Sequence, residues 1–231
     1  MKWFVLALSL LFASSAASAR TPFQARCEDT IGKTVSVLSA RDGGYRVDNT
    51  VSIRQLAQMK RITTPNSYVL GLTRTESRVA VGAGGKLLQD PASGYECVAP
   101  RIDVKLFYVP IVVYVGSEFS PGSCAYREIL AHEMRHLKTY LDHLPKVEAT
   151  VSAALARRFE GKPLYAPSGQ ASALLRGELN TGWMAFIKGE MEKVEPLQAA
   201  IDTPREYARL SEVCGGEVQS LIRLSKQRTK P

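Results

Sequence analysis

The sequence predicts an α+β fold: a β-rich N-terminal half, carrying a mixed or antiparallel sheet, followed by a helical half. Three observations predict it. From about residue 25 to 118 the chain is rich in β-branched residues and punctuated by turn signals. From Ser123 onward apolar residues recur at helical spacing instead. The composition, 45% hydrophobic and 23% charged, is that of a globular chain with a core to bury, which excludes wholesale disorder.

The first element is a targeting segment. Lys2, the apolar run from Trp3 to Phe12, and Ala17-Ser18-Ala19 before Arg20 have the layout of a secretory signal peptide over residues 1–19. That run is shorter than the roughly 20 residues of a membrane-spanning helix, and no later stretch approaches that length. The expected mature chain is therefore secreted or periplasmic, with no transmembrane segment. Its remaining 20–231 suit one domain: a β-rich half over 20–118, a helical half over 119–225 and a basic tail over 226–231.

Within the β-rich half, residues 34–39, 69–73, 78–81 and 101–115 read as strands, and 52–61 as a helix. Asp42-Gly43-Gly44 and Gly82-Ala83-Gly84-Gly85 read as turns. Gly85-Lys86 is no phosphate loop, because Ala80 stands where that motif needs glycine and Leu87 where it needs Ser or Thr. In the helical half, breaks fall near Leu144-Pro145, at 161–168 and at 202–204.

Four cysteines and no C-x-x-C in an exported chain predict two disulfides. Three pairings are possible; Cys27–Cys97 and Cys124–Cys214 keep each bridge within its own half. The net charge of +8 favours anionic surroundings, so an anionic envelope polymer is a candidate partner. The basic residues are scattered, without a Lys/Arg run or an aromatic-interleaved stripe, which argues against nucleic acid.

The chemistry concentrates in one segment. All three histidines lie within twelve residues, and two of them frame His132-Glu133-Met134-Arg135-His136. Ser123 is a plausible N-cap after Pro121-Gly122, and Tyr126, Ile129, Leu130, Leu137, Tyr140, Leu141 and Leu144 form one apolar stripe that Pro145 closes. Residues i and i+4 on a helix share a face, so both imidazoles can reach one Zn²⁺. Glu133 falls inside the apolar stripe, where a carboxylate is costly unless paired or set against a metal. From there it can take a proton from water at the open side of the ion, as general base. His143 lies about 10 Å along the axis from His136 and reads as a surface histidine.

These residues resemble the zincin superfamily of metallopeptidases, whose signature is the His-Glu-x-x-His helix. The run from Tyr114 to His136 is also similar to uncharacterised secreted bacterial proteins with the same motif. The resemblance covers about residues 106–145. It implies a zinc-dependent hydrolase acting on a protein, peptide or cell-wall peptide, with Glu133 catalytic and an edge strand over 112–118 aligning the substrate backbone. The metzincin continuation is missing, since Thr139 and Asp142 stand where glycine and the third ligand belong.

A thermolysin-like arrangement takes the third ligand from a later helix. Glu178, set between Leu174, Leu175, Leu179 and Trp183, is the choice there; Glu206 already has a role in the capping box Thr203-Pro204-Arg205-Glu206. Tyr165 and Tyr207 are candidates to stabilise an oxyanion. The rival expectation is a non-enzymatic envelope protein that uses the helix structurally or as a vestigial metal site.

Overall fold

A computed structural model describes residues 20–31, 35–62 and 68–228. The expected signal peptide, and the end of the expected basic tail, lie outside the described residues. The fold is α+β. The N-terminal half comprises helix α1 (Pro22–Thr30), strands β1 (Val35–Asp42) and β2 (Tyr45–Asp48), helix α2 (Ile53–Met59), and strands β3 (Gly71–Arg74), β4 (Ser77–Asp90), β5 (Tyr95–Tyr108) and β6 (Ile111–Val115). The second half comprises α3 (Cys124–Phe159), β7 (Leu164–Pro167), α4 (Ala171–Glu178), a π turn (Leu179–Trp183), α5 (Met184–Glu192), α6 (Val194–Ala199), α7 (Pro204–Glu212) and α8 (Glu217–Arg228).

Two mixed sheets form from three chain tracts that break at a common level. In one, β5 lies between β1, its parallel neighbour, and β4, its antiparallel one, with β7 on its first residues. In the other, β6 lies between parallel β2 and antiparallel β3. The breaks fall at Gly43-Gly44, Thr75-Glu76 and Val109-Pro110. They are stitched together by Gly43 N donating to Tyr108 O (3.0 Å), Val109 N to Glu76 O (3.0 Å) and Ile111 N to Gly44 O (2.9 Å). Gly43-Gly44 is thus a step between two strands, not a reversal. Pro110, with no N–H to give a ladder, divides the single strand expected over 101–115.

Two further expectations change. Residues 82–85 are not a turn but the middle of β4, paired with 100–103 of β5. At Gly85 a Cβ would lie 2.3 Å from Ala99 O and φ is +147°, so glycine serves close strand approach there, and the reversal falls at 91–94. Nor does Pro145 end its helix. α3 runs 36 residues, with the proline ring facing solvent. A mid-helix proline costs about 3 kcal/mol. Beyond it Val147, Val151, Leu155 and Phe159 are buried against the sheet, each contributing about 1.5–3 kcal/mol, so continuation wins.

The principal core lies between the inward face of β5 (Ile102, Val104, Leu106, Tyr108), β6 and the apolar stripe of α3. Disulfides join Cys27 to Cys97 and Cys124 to Cys214, one within each half. The second ties the start of α3 to the turn between α7 and α8, where Glu217 Oε2 also accepts from the first-turn Ala125 N–H at 2.9 Å. Among the described residues no helix is long and apolar enough to cross a membrane.

Candidate metal centre

The site begins with α3. Ser123 caps it through Tyr126 N, and Ala125, Ile129, Leu137 and Leu144 bury one face against β3 and β6. Geometry then decides what His132, Glu133 and His136 become. All three lie on or beside that face and are buried, at 4%, 4% and 8% exposure. Isolated polar groups at such depth would cost several kcal/mol; here each has partners.

His132 Nε2 and His136 Nε2 stand 3.2 Å apart, and Asp202 Oδ1 lies 3.2 Å from each. An ion with bonds of about 2.0–2.1 Å and tetrahedral angles holds its ligand atoms about 3.3–3.4 Å apart. The triangle has that size. Two imidazoles and one carboxylate also form a donor set that suits a borderline divalent metal. The residues therefore fit a metal ion, and His132, His136 and Asp202 are a buried group able to hold one.

The far sides of both rings are fixed as well. His136 Nδ1 lies 2.5 Å from Gln198 Oε1, and Gln198 Nε2 donates back to His136 O at 3.1 Å. His132 Nδ1 lies 3.3 Å from Glu206 Oε1, an oxygen shared with Arg135 and Arg209. In the neutral tautomer that carries its hydrogen on Nδ1, each imidazole keeps its Nε2 lone pair for an ion shared with Asp202; Arg135 NH2 also lies 2.9 Å from His132 Nδ1. Such outer partners orient metal-binding imidazoles and raise their basicity.

Glu133 occupies the gap between α3 and the edge strand β3. Thr73 Oγ1 donates to its Oε2 at 2.9 Å. The carboxylate fits only because residue 71 is glycine: a Cβ there would lie 2.7 Å from Glu133 Cγ and Oε1 and 2.9 Å from Ile129 Cγ2. Burial raises the Glu133 pKa, against the opposing pull of His136, Thr73 and His132. Burial alone would lower the His136 pKa, but its hydrogen bonds to Asp202 and Gln198 and the Glu133 charge raise it on balance. Burial would raise Asp202, yet the two histidines and Lys60 hold it well below the usual carboxylate range. Glu206 is held at about 2, chiefly by Arg209.

The group opens onto a cavity of about 790 Å³. Its walls include Glu133, residues 69–73, Lys60 and Tyr207. Lys60 Nζ sits 3.3 Å from Asp202 Oδ2, so one carboxylate oxygen faces the histidines and the other a cation. Tyr207 lines the same cavity as Asp202 and has its ring centroid 6.4 Å from that of His132; burial and the Asp202 charge raise its hydroxyl pKa.

Several sequence expectations shift here. Glu178 does not join the histidines: its carboxylate receives Arg158 NH2 at 2.7 Å and Trp183 Nε1 at 3.2 Å, and Asp202 occupies the position it was expected to fill. His143 is no surface histidine but is buried on α3, at 6% exposure, on the same side of the helix as its neighbours Leu144 and Val147. Residues 112–118 are not an edge strand, since β6 is central to its sheet; the edge beside the helix is β3. Glu206 forms half a capping box. Thr203 Oγ1 accepts from its N–H at 3.1 Å, while its carboxylate serves His132, Arg135 and Arg209. Tyr165 packs edge-on to Phe23, away from the cavity that Tyr207 lines.

Asp202, Gln198, Thr73 and Gly71 carry no short motif, and the only one at Glu206 is that of a helix cap. One periodic signal does exist. Gln198, Asp202 and Glu206 recur every four residues, as the histidines do, and the three serve His136 Nδ1, both Nε2 atoms and His132 Nδ1 in turn. The chain matches no protein-family model, no curated protein and no solved structure, so its site is read from its own geometry.

Proposed function

We propose that the protein is an exported zinc-dependent hydrolase, a metallopeptidase that cleaves amide bonds in a protein, peptide or cell-wall peptide. One observation carries the reading: three ligand atoms stand 3.2 Å apart, and a buried carboxylate beside them lines the same cavity. The paired cysteines fit an oxidising compartment, in keeping with the signal-like N-terminus.

Bound there, zinc would be held by His132, His136 and Asp202 and would supply Lewis acidity toward a carbonyl and a water molecule. The rest falls to the chain. Glu133 takes the proton of the attacking water and returns it to the leaving amine, a role suited to a carboxylate whose pKa burial has raised. Thr73 fixes the Glu133 rotamer through Oε2. The edge of β3 has no strand partner on its outer side among the described residues. Its backbone groups are available to pair with an extended peptide lying across the cavity. Tyr207, at the cavity wall beside Asp202, is the hydroxyl placed to donate to a developing oxyanion.

The test compares zinc-loaded wild type with Glu133→Gln on a broad peptide and cell-wall peptide library. The expected result is turnover by the wild type, a loss of about 10²–10⁴-fold in the variant, and unchanged zinc content. Equal turnover in both would remove Glu133 from the chemistry. Full zinc occupancy with no turnover in the wild type would leave a structural metal site.

A further inference from the structure

A second, smaller hollow of about 120 Å³ adjoins the main cavity and shares Tyr140 and Glu195 with it. Its other walls are Thr75 and Ser77, Tyr108, and Glu192 with its neighbours. Two features mark it out. Tyr108 is 1% exposed and its hydroxyl has no hydrogen-bond partner, a state that costs about 1–3 kcal/mol. Second, Glu192 and Glu195 come from separate helices, α5 and α6, and neither has an ion-pair partner among the described residues. In a chain of net charge +8, two solvent-exposed glutamates without ion-pair partners that line one hollow stand out.

The hollow also has a defined place along the substrate path. Thr73 holds Glu133, and Thr75 and Ser77 lie two and four residues further along the same tract of chain. At about 3.3 Å per extended residue, a peptide following that edge reaches the hollow two to four residues from the bond that Glu133 faces. The group that satisfies such a lining carries several N–H donors and a positive charge. An ammonium or guanidinium offers three to five donors and accepts nothing, which suits two carboxylates and a phenolic oxygen.

We infer that the hollow formed by Tyr108, Tyr140, Glu192 and Glu195 is a subsite for a cationic side chain of the substrate, giving the enzyme a preference for peptides with lysine or arginine two to four residues from the cleaved bond. The inference rests on the peptidase reading, and its test separates the two. Peptides differing only by lysine, arginine or norleucine at each of those positions are offered to zinc-loaded wild type and to the Glu192→Gln/Glu195→Gln double variant. The expected wild-type kcat/KM ratio of the basic to the norleucine peptide is about 10-fold or more at one position, falling toward one in the double variant. A ratio near one in the wild type, or a ratio the double variant leaves unchanged, overturns the subsite. Binding of the same peptides to Glu133→Gln, followed by fluorescence anisotropy, needs no turnover. Tighter binding of the basic peptides, lost with Glu192 and Glu195, upholds the subsite even if hydrolysis fails. Equal binding of all three overturns it whether or not the wild type cleaves. Lysine against arginine tells an ammonium from a guanidinium preference.

Discussion

The two ends of α3 bury comparable faces against the sheets and do different work. From Leu144 to Phe159 the buried face is leucine, valine and phenylalanine; from Ala125 to His136 it includes two imidazoles and a carboxylate. The polar end is tolerable because other elements answer each group: Asp202, Gln198 and Glu206 from around α6 and α7, Thr73 from β3. His143, between the two ends, is buried but its Nδ1 has no partner. Burial alone therefore does not mark a functional histidine. Convergence of outside partners does.

The contrast can be broken at either end. Leu155→Ala should cost about 2–5 kcal/mol of stability through the cavity it leaves while leaving zinc stoichiometry unchanged; chemical denaturation and metal analysis of one sample read both. An accompanying loss of zinc would show that the two ends are not separable. At the other end, Gln198→Ala should weaken zinc binding about 10–100-fold, because His136 loses the acceptor on Nδ1. Competition against a chromophoric chelator measures it, and unchanged affinity would reduce Gln198 to packing.

The charge states make a subtler prediction. The raised His136 pKa contributes stability to the metal-free protein below about 6.5 that is lost as pH rises through its folded value. The depressed Asp202 pKa contributes stability above about 3.8 that is lost as pH falls through its folded value. Zinc needs neutral imidazoles. The Tm gain on adding zinc should thus be small near pH 5 and grow toward pH 8, as followed by differential scanning calorimetry with and without chelator. A gain independent of pH would place zinc elsewhere. The smallest effect is expected at His143→Leu, within about 1 kcal/mol of wild type by denaturation, since a buried nitrogen without a partner is removed.

How much of this was legible in the sequence depends on range. The α+β division, the cysteine pairing and the helix of His132, Glu133 and His136 follow from local periodicity, from keeping each bridge within one half, and from a motif confined to five residues. Asp202 lies 66 residues from His136, and nothing in local spacing fixes so distant a ligand. It sat instead in a segment read as a helix break. Glu178 drew attention because its apolar neighbours predicted an inward face, but Arg158, twenty residues back, claims its carboxylate. At Pro145 the local helix-breaking penalty is visible in sequence, whereas the burial of Val147 through Phe159 that outweighs it needs the sheet in place.

The most direct test of the central claim is a zinc titration of metal-free wild type beside Asp202→Ala and Glu178→Ala. The account predicts one zinc per chain for the wild type and for Glu178→Ala, with affinity about 100-fold or more weaker in Asp202→Ala. Wild-type affinity in Asp202→Ala, or weakened binding in Glu178→Ala alone, would contradict it.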